Sequence, residues 1–374
     1  HRGRHGKTPG EGNVGKRVMI MAGGTGGHVY PALAVARELI DRGNEVVWMG
    51  TRKGLEARVV PAAGIPVEWL AVEGVRGKGI KGALKAPFMV LKALTQSLGI
   101  LRKVRPQVVL WMGGFVSGPG GLMASLTGIP LVLHEQNRVP GTTNRLLASR
   151  ARVVLEAFRG SFPVKVKARV TGNPLRREIV GLSHQVKERS AGAPLRILIV
   201  GGSLGAKALN ETVPEALARL DVPLEIRHQT GNALREDTAA RYSALGLKAE
   251  VTAFVEDMAE AYAWADLAIC RAGAMTISEL AVTGLPSVLV PYPFAIDDHQ
   301  TKNAEVLKEA GAAILMPQNE LTAEHLAAAI ADVMNTPGRL EAMSQGARQV
   351  ARPAAAEIVA AVCLENANLN QTKS

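Results

Sequence analysis

Residues 17–36 read RVMIMAGGTGGHVYPALAVA, and residues 196–210 read RILIVGGSLGAKALN. Each stretch has a short apolar run, a glycine-rich turn and then apolar residues at helical spacing, which is typical of a strand, a loop and a helix in a parallel sheet. Because the same unit begins twice, the sequence predicts two similar α/β domains.

Further short apolar runs follow the first unit at residues 46–49, 108–111 and 131–133. Each run is apolar enough to be covered by helices on both faces, as strands of parallel sheets are. The predicted fold class is therefore α/β, with two Rossmann-like, doubly wound parallel-sheet domains that face each other across a cleft.

Domain boundaries follow from breaks in this pattern. Residues 1–16 are rich in glycine and charge and predict a disordered basic arm. The first domain is expected over 17–172 and the second over 173–352, because Gly172 and Pro174 interrupt the pattern there. The last apolar-periodic segment, within 353–374, is expected to pack back on the first domain.

Composition limits the classes of function. The 374 residues carry a formal net charge of +11, which indicates an anionic partner. Aromatic residues make up only 4%, and no binding motif interleaves the basic charges, so nucleic acid is not the expected partner. The two cysteines, Cys270 and Cys363, lack metal-ligand spacing, which argues against a zinc site or a disulfide scaffold. No apolar run approaches the ~20 residues of a membrane span, and we expect a soluble or peripheral protein of the cytoplasm.

The turn from Gly23 to His28 reads GGTGGH and lies between a predicted buried strand and a helix. Its glycines allow close backbone approach, and N–H groups at the helix start can bind phosphate or polarised hydroxyls. The dinucleotide motif G-x-G-x-x-G is absent because Val29 replaces its third glycine, and Met49-Gly50-Thr51 has no acidic residue for a ribose. This argues against an NAD-dependent dehydrogenase. A ligand loop and a simple tight turn remain the two interpretations.

Two more segments should meet at the same sheet edge. Residues 113–121 read GGFVSGPGG, and residues 134–137, HEQN, directly follow the next strand. Open α/β sheets bind ligands at the carboxyl ends of their strands, so both segments indicate a binding site. Helix capping is the alternative explanation for one or two of the polar side chains.

The second domain has a matching loop at residues 201–206, GGSLGA, in which Ser203 could donate to a phosphate or cap the helix. Residues 271–279, RAGAMTISE, leave another strand and open a helix whose N–H groups could bind a diphosphate. Glu279 could accept hydrogen bonds from ribose hydroxyls or complement the helix dipole.

Residues 297–303 read DDHQTKN. Asp297 and Asp298 could hold a metal ion, but they also suit the first turn of a helix, and the helix start is the favoured interpretation. Gln300 and Asn303 are three residues apart on that helix and could bond to sugar hydroxyls from one face.

The segment from Arg76 to Arg105 has eight Lys or Arg residues and no Asp or Glu. The pattern fits an interfacial helix on anionic lipid, and equally a core helix with a solvated basic face. Its apolar stripe recurs at helical spacing, at Phe88, Leu91, Leu94, Leu98 and Leu101.

Together and in this order, these motifs resemble the glycosyltransferases of peptidoglycan synthesis that add N-acetylglucosamine (GlcNAc) to lipid I, the undecaprenyl-diphospho-muramoylpentapeptide. The resemblance implies a GT-B fold, a UDP-GlcNAc donor, a lipid I acceptor, inversion at the anomeric carbon, and no metal or other cofactor. It spans about residue 16 to the C-terminal region and rests on AGGTGGHVYPALAVA, RGKGIKG, GGFVSGPGG, HEQN, TGNPLR, GGSLGA, CRAGAMTISE and DDHQTKNA.

The resemblance also implies a cellular setting. The protein would be peripheral on the cytoplasmic face of the plasma (inner) membrane, with the segment Arg76–Arg105 against an anionic membrane surface. It would act in cell wall biogenesis, and thereby in cell shape and cell division, with other cell-wall synthesis proteins as partners.

By the same resemblance the second domain binds the donor. His299 stands where some relatives have Gln, and Phe115 stands where some have Tyr. The implied donor residues are Arg176 and Ser203 at the diphosphate, Val255 at uracil, Glu279 at the ribose, Ala274, Met275 and Thr276 at the helix start, and Gln300 at GlcNAc.

The first domain would bind the acceptor, whose 4-hydroxyl must lose a proton to a general base as it attacks C1 of the sugar. His28 is the favoured base because an ordinary histidine is largely neutral at cytoplasmic pH, and Glu135 is the alternative. Two other functions stay open, a UDP-GlcNAc 2-epimerase and a non-catalytic nucleotide-binding membrane scaffold. The other implied acceptor residues are Thr25, Gly26, Gly27, the 113–121 loop, Asn137 and Asn144.

Overall fold

The computed structural model describes residues 15–71, 79–114, 118–203 and 205–371. They form two parallel sheets, each with helices on both faces. This confirms the predicted α/β class and its two Rossmann-like domains. Arg76 and Phe115 lie outside the described residues.

The first sheet has seven strands, all paired in parallel. They are β1 (Arg17–Ala22), β2 (Glu45–Gly50), β3 (Val67–Trp69), β4 (Val108–Gly113), β5 (Leu131–Glu135), β6 (Val153–Glu156) and β7 (Arg169–Val170). Their spatial order is β3-β2-β1-β4-β5-β6-β7.

The second sheet has six parallel strands. They are β8 (Leu195–Val200), β9 (Leu224–Gln229), β10 (Ala249–Thr252), β11 (Leu267–Cys270), β12 (Ser287–Leu289) and β13 (Ala313–Leu315). Their spatial order is β10-β9-β8-β11-β12-β13.

Helices connect the strands and cover both sheets. Those of the first half are α1 (Gly26–Asp41), α2 (Glu56–Ala62), α3 (Gly79–Val104), α4 (Gly118–Leu126) and α5 (Thr142–Ala148). The rest are α6 (Arg177–Val180), α7 (Lys207–Ala218), α8 (Arg235–Ala244), α9 (Met258–Trp264), α10 (Ala274–Thr283), α11 (His299–Glu309), α12 (Ala323–Asn335), α13 (Arg339–Val350) and α14 (Ala355–Gln371).

Each sheet separates two apolar clusters because successive strand residues point to opposite faces. In β1, Val18 and Ile20 join the cluster with α1, whereas Met19 and Met21 join the cluster with α3, α4 and α5. The second sheet repeats this arrangement between α7, α8 and α12 on one face and α9, α10, α11 and α13 on the other. Burial on both faces explains why the strands have nearly continuous apolar sequences.

The C-terminal helix α14 packs on the first sheet although it follows the second in the chain. Val359, Val362 and Cys363 belong to the same buried cluster as Val18 and Ile20 of β1. Their burial explains the apolar periodicity of this segment, which lies against α1.

The ligand-binding edges of both sheets follow from strand order. Consecutive connections leave in opposite directions from β1 and β4 in the first sheet, and from β8 and β11 in the second. Crevices for ligands form at the carboxyl ends of such strand pairs. The four loops that begin at Gly23, Gly114, Gly201 and Arg271 therefore occupy the expected positions for substrates.

Candidate active site

The first glycine loop is held in place by a buried carboxylate. Glu56, at the start of α2, accepts from the backbone N–H of Gly24 at 2.9 Å and of Thr51 at 3.0 Å. Gly23 N–H donates to the carbonyl of Gly113 at 3.1 Å, which joins the loops after β1 and β4. A side chain on Gly114 would lie 2.7 Å from the Gly23 carbonyl oxygen, so this close approach requires glycine. In the sequence, no motif marks Glu56 for this role.

The start of α1 presents backbone N–H groups beside this loop. Thr25 is the N-cap residue, with extended backbone and no capping bond from its side chain. Thr25 and Gly27 are exposed and Gly26 is partly exposed. Because the first N–H groups of a helix have no partner within the helix, this end of α1 is suited to a phosphate or a hydroxyl.

His28 lies in the first turn of α1 and is partly buried. Its Nδ1 is 3.1 Å from Oε1 of Gln136. Burial lowers the pKa of His28 below its ordinary value, although hydrogen bonds to Gln136 and to the backbone of Met112 act in the opposite direction. The ring is therefore neutral near pH 7, as a general base must be. A side chain on Gly113 would come within 2.4 Å of Nδ1, so glycine at this position makes room for the ring.

Glu135, the alternative base, is almost completely buried and organises a loop. Its Oε1 accepts from Gly141 N–H at 2.8 Å and its Oε2 from Asn137 N–H at 3.2 Å. Burial raises the pKa of Glu135, and these bonds together with the side-chain amide of Asn144 act in the opposite direction. Proton abstraction by Glu135 would disturb bonds that hold residues 136–144, so the geometry favours His28 as the base.

Asn137 and Asn303 join the two domains. Asn303 Nδ2 donates to Asn137 Oδ1 at 3.1 Å and to the Ala272 carbonyl at 3.2 Å, while Arg138 N–H donates to Asn303 Oδ1 at 2.8 Å. Asn303 is completely buried and both its amide protons are in use. These bonds give Asn303 a domain-joining role, whereas its spacing from Gln300 suggested only that it could bond to sugar hydroxyls.

The glycine loop of the second domain is also fixed by one side chain. Gln229, at the end of β9, accepts at Oε1 from Gly201 N–H at 3.0 Å and from Gly202 N–H at 3.2 Å. Its Nε2 donates to the Gly202 carbonyl at 2.8 Å. Ser203 is exposed at the tip of this loop. Gln229 lies outside every motif recognised in the sequence.

The start of α10 lies beside Gln300. Gly273 is the N-cap residue and provides no side-chain cap. Gln300 Oε1 accepts from the N–H groups of Ala272 at 3.1 Å and Tyr292 at 2.9 Å, so the side chain is held against the loop that leads into α10. Of the expected donor residues in the first turn, Ala274 is buried, and Met275 and Thr276 are partly exposed.

Glu279 is the acidic group of this second site. Burial raises its pKa to about 7, although the Arg176 guanidinium nearby and the Tyr262 hydroxyl, 3.4 Å away, act in the opposite direction. Arg176 is exposed at the start of α6, and Val255 follows β10 and packs against the cluster around α9 and α10. The structure thus brings Glu279 and Arg176 together.

The acidic pair Asp297 and Asp298 precedes α11, and both residues have left-handed backbone conformations. Asp298 accepts from the Thr301 hydroxyl at 2.6 Å, and His299 Nδ1 bonds to the carbonyl of Ile296. Within the described ranges, no group of three or more His, Cys, Asp or Glu side chains is placed to hold a metal ion.

Two Rossmann-like domains, each with a glycine loop at the carboxyl edge of its sheet, have the architecture of the GT-B fold, and the domain matches define the class as a glycosyltransferase. Residues 18–156 match the glycosyltransferase family 28 N-terminal domain, and residues 196–359 match the family 28 C-terminal domain. The chain belongs to glycosyltransferase family 28.

Homologous transferases align with almost the whole chain. A Methylococcus capsulatus protein is 58% identical over 95% of this chain and 99% of its own length. It is called UDP-N-acetylglucosamine--N-acetylmuramyl-(pentapeptide) pyrophosphoryl-undecaprenol N-acetylglucosamine transferase. A Pseudomonas fluorescens protein of the same name is 52% identical over 95% of this chain and 100% of its own length.

Solved structures agree with the fold. The crystal structure of Acinetobacter baumannii MurG has 43% sequence identity and a TM-score of 0.81, and the match covers 94% of this chain and 99% of that one. A UDP-N-acetylglucosamine 2-epimerase matches with a TM-score of 0.63 at 14% identity, covering 92% of this chain and 93% of that one. At that identity the likeness shows the fold alone.

Proposed function

We propose that this enzyme transfers GlcNAc from UDP-GlcNAc to the muramoyl 4-hydroxyl of lipid I, which forms lipid II for peptidoglycan. The observation that carries the proposal is the 58% identity to a transferase of that name over 95% of the chain. The activity places the protein in cell wall biogenesis.

The second domain is suited to the donor. The N-terminus of α10 offers N–H groups to a diphosphate, Ser203 is exposed at the tip of the loop that Gln229 holds, and Arg176 adds a positive charge near Glu279. We assign the ribose to Glu279, uracil to the backbone of Val255 and the GlcNAc hydroxyls to Gln300, which lies against the loop that leads into α10.

The first domain is suited to the acceptor and to proton removal. As the acceptor oxygen bonds to C1 from the face opposite UDP, the bond from C1 to the diphosphate oxygen breaks and the configuration inverts. His28 takes the proton of the 4-hydroxyl, and Arg176 with the helix N-termini stabilises the negative charge that develops on UDP. The buried Glu135 and Asn144 hold the loop that carries Asn137.

Helix α3 is suited to contact with an anionic membrane. Its first half exposes Ile80, Leu84, Phe88 and Leu91 on one face, with Phe88 76% exposed. Lys81, Lys85 and Lys92 are exposed on the same half of the helix.

The second half of α3 is different, because Leu101 is buried in the first domain. The core-helix interpretation therefore fits the second half, and the interfacial interpretation is proposed for the first half alone. Leu94 and Leu98, between them, are partly exposed. None of the helices in the described ranges is long and apolar enough to cross a membrane. We propose that the first half lies on the cytoplasmic face of the plasma (inner) membrane, where lipid I would be reached.

The transfer reaction is tested with radiolabelled UDP-GlcNAc and a lipid I analogue. We expect labelled lipid II and stoichiometric UDP, both dependent on the acceptor. Formation of UDP-N-acetylmannosamine without acceptor would instead support the epimerase, and the absence of UDP release with acceptor present would support a non-catalytic scaffold.

A further inference from the structure

A chain of buried polar side chains runs from the junction of the two domains to His28. His134 Nε2 is 2.9 Å from the Gly172 carbonyl oxygen, and His134 Nδ1 is 3.1 Å from Gln136 Nε2. Gln136 Oε1 is 3.1 Å from His28 Nδ1. His134 and Gln136 are both almost completely buried.

Two backbone carbonyls fix the direction of every bond in this chain, because a carbonyl oxygen can only accept. The carbonyl of Gly172 requires the proton of His134 on Nε2, so His134 Nδ1 is left as an acceptor. Gln136 Nε2 then donates to that nitrogen, and also to the carbonyl of His134 at 3.2 Å. Its amide oxygen must therefore face His28.

The neutral imidazole ring has one proton for its two nitrogens. Gln136 Oε1 is an acceptor 3.1 Å from Nδ1, so the proton of His28 belongs on that nitrogen, where this bond competes with the backbone of Met112 for the ring. We propose that His134 and Gln136 are positioning residues that hold His28 in the Nδ1–H tautomer, which leaves the lone pair of Nε2 to take the acceptor's proton. The proposal rests on the proposed role of His28 as the base.

The surroundings keep this chain of bonds in a single arrangement. Burial lowers the pKa of His134 to about 4, so that ring stays neutral in the cell and its Nδ1 stays an acceptor. The Thr171 hydroxyl donates to the Gly172 carbonyl at 2.9 Å and lies 3.2 Å from His134 Nε2. Asn173 Nδ2 donates to the carbonyl of Gln136 at 3.1 Å, which ties the backbone of Gln136 to the domain junction.

The direct test is the ring nitrogen spectrum of histidine by NMR in the full-length protein labelled with ¹⁵N-histidine. The His28 signals are assigned as those that disappear in His28→Ala. We expect the Nδ1–H form of His28 in the unsubstituted protein. A proton on Nε2 of His28 would overturn the proposal. The tautomer is read in the unsubstituted protein, so neither His134 nor Gln136 has to be replaced.

Two substitutions at one position test the role of the amide. Gln136→Met keeps a similar length but offers no hydrogen bond, so we expect loss of the single tautomer and a kcat lower by roughly tenfold, with UDP affinity unchanged. Gln136→Glu keeps an acceptor facing His28, and we expect it to retain the Nδ1–H form and more activity than Gln136→Met. Equal activity and tautomer in all three proteins would contradict the proposal.

A control variant distinguishes the effect of breaking the hydrogen bonds between His134, Gln136 and His28 from the effect of removing any buried amide. Asn366 is buried in α14, and its Nδ2 donates to the Val362 carbonyl of the same helix. Asn366→Met should therefore leave the His28 tautomer and kcat unchanged, and a changed His28 tautomer in that variant would contradict the proposal.

The base assignment and the positioning role can fail separately. If His28→Ala keeps its kcat, the base assignment fails whatever the spectrum shows. If the His28 proton lies on Nε2 although His28→Ala is inactive, only the positioning role of His134 and Gln136 fails.

Discussion

The side-chain amide of Asn303, in the second domain, donates a hydrogen bond to Oδ1 of Asn137 in the first domain at 3.1 Å. Asn303 also accepts from the backbone of Arg138 and donates to that of Ala272, so one buried side chain joins the loop after β5 to the loop before α10. The first loop carries expected acceptor residues and the second leads to the expected diphosphate site. We therefore expect Asn303 to hold the two proposed substrate sites at a fixed separation.

Asn303→Ala should lower both stability and turnover. The substitution leaves the Arg138 N–H and the Ala272 carbonyl without their partner, at a cost of about 1–3 kcal/mol for each buried group. We expect a lower thermal midpoint and a reduced kcat, with a smaller change in the affinity for UDP alone. Asn335→Ala, at an exposed position at the end of α12, is the matched control. An unchanged midpoint for Asn303→Ala would show that the bond contributes nothing.

Glu279 should make donor binding depend on pH. Its pKa is raised to about 7, so about half of the carboxyl groups are protonated at that pH in the unliganded enzyme. Ribose hydroxyls donate more strongly to the ionised form. Affinity for UDP-GlcNAc should therefore rise as the pH increases from 6 to 8.

Calorimetry with UDP-GlcNAc at several pH values checks this dependence, and Glu279→Gln should have a flatter profile. Glu279→Ala should weaken binding by ~1–3 kcal/mol, the cost of one lost partner. If Glu279→Ala binds the donor as well as the parent does, the residue is only a partner of the helix dipole and of Tyr262.

Charge reversal on α3 should release the protein from anionic vesicles. Each Lys near an anionic membrane contributes about 1 kcal/mol, and salt screens this attraction. Lys81→Glu, Lys85→Glu and Lys92→Glu together should thus abolish vesicle pelleting at moderate salt, while kcat with a water-soluble acceptor analogue stays unchanged.

Lys103 provides the control within the same helix. It pairs with Glu68 at 3.0 Å and lies in the half of α3 that packs on the first domain. Lys103→Glu should reduce pelleting far less than the triple substitution does. Equal loss from both proteins would indicate a response to net charge, with no specific contribution from the first half of α3.

Periodic features of this fold could be predicted from sequence. The runs at residues 18–21 and 108–111 are apolar because both faces of their sheet are covered, so they are identifiable without long-range information. Glycine loops after such strands likewise predict where substrates bind. The observed strands extend one or two residues beyond the predicted runs, because β1 and β4 end in the small residues Ala22 and Gly113. The strand predicted at 131–133 continues through the polar residues His134 and Glu135, which pair with β6.

Residues that hold the site were harder to predict. Glu56 bonds to Gly24 from 32 residues away, and Gln229 bonds to Gly201 from 28 residues away. In the sequence, Glu56 looks like any acidic residue at the start of a helix, and Gln229 looks like any polar residue at the end of a strand. Helical spacing relates Asn303 to Gln300 and suggests that both could contact a sugar, but the hydrogen-bond partners of Asn303 belong to loops distant in sequence.

The proposed role of His28 as general base predicts specific changes in kcat and in pH dependence. His28→Ala should lower kcat by about 10²–10⁴, the usual contribution of general-base catalysis, and leave UDP affinity nearly intact because the proposed donor residues lie in the other domain. In the parent enzyme, activity should fall as the pH drops through the pKa of His28, since the protonated ring cannot accept a proton. Burial places that pKa below the ordinary histidine value, so the loss occurs on the acidic side. This acidic limb should be absent in His28→Ala.

Glu135→Gln separates the two candidate bases. The substitution disturbs the bonds to Gly141 and Asn137, so it should raise the KM for the acceptor while the acidic limb persists. If His28→Ala keeps most of its kcat while Glu135→Gln loses both kcat and the acidic limb, Glu135 is the base, and its role in the loop is secondary.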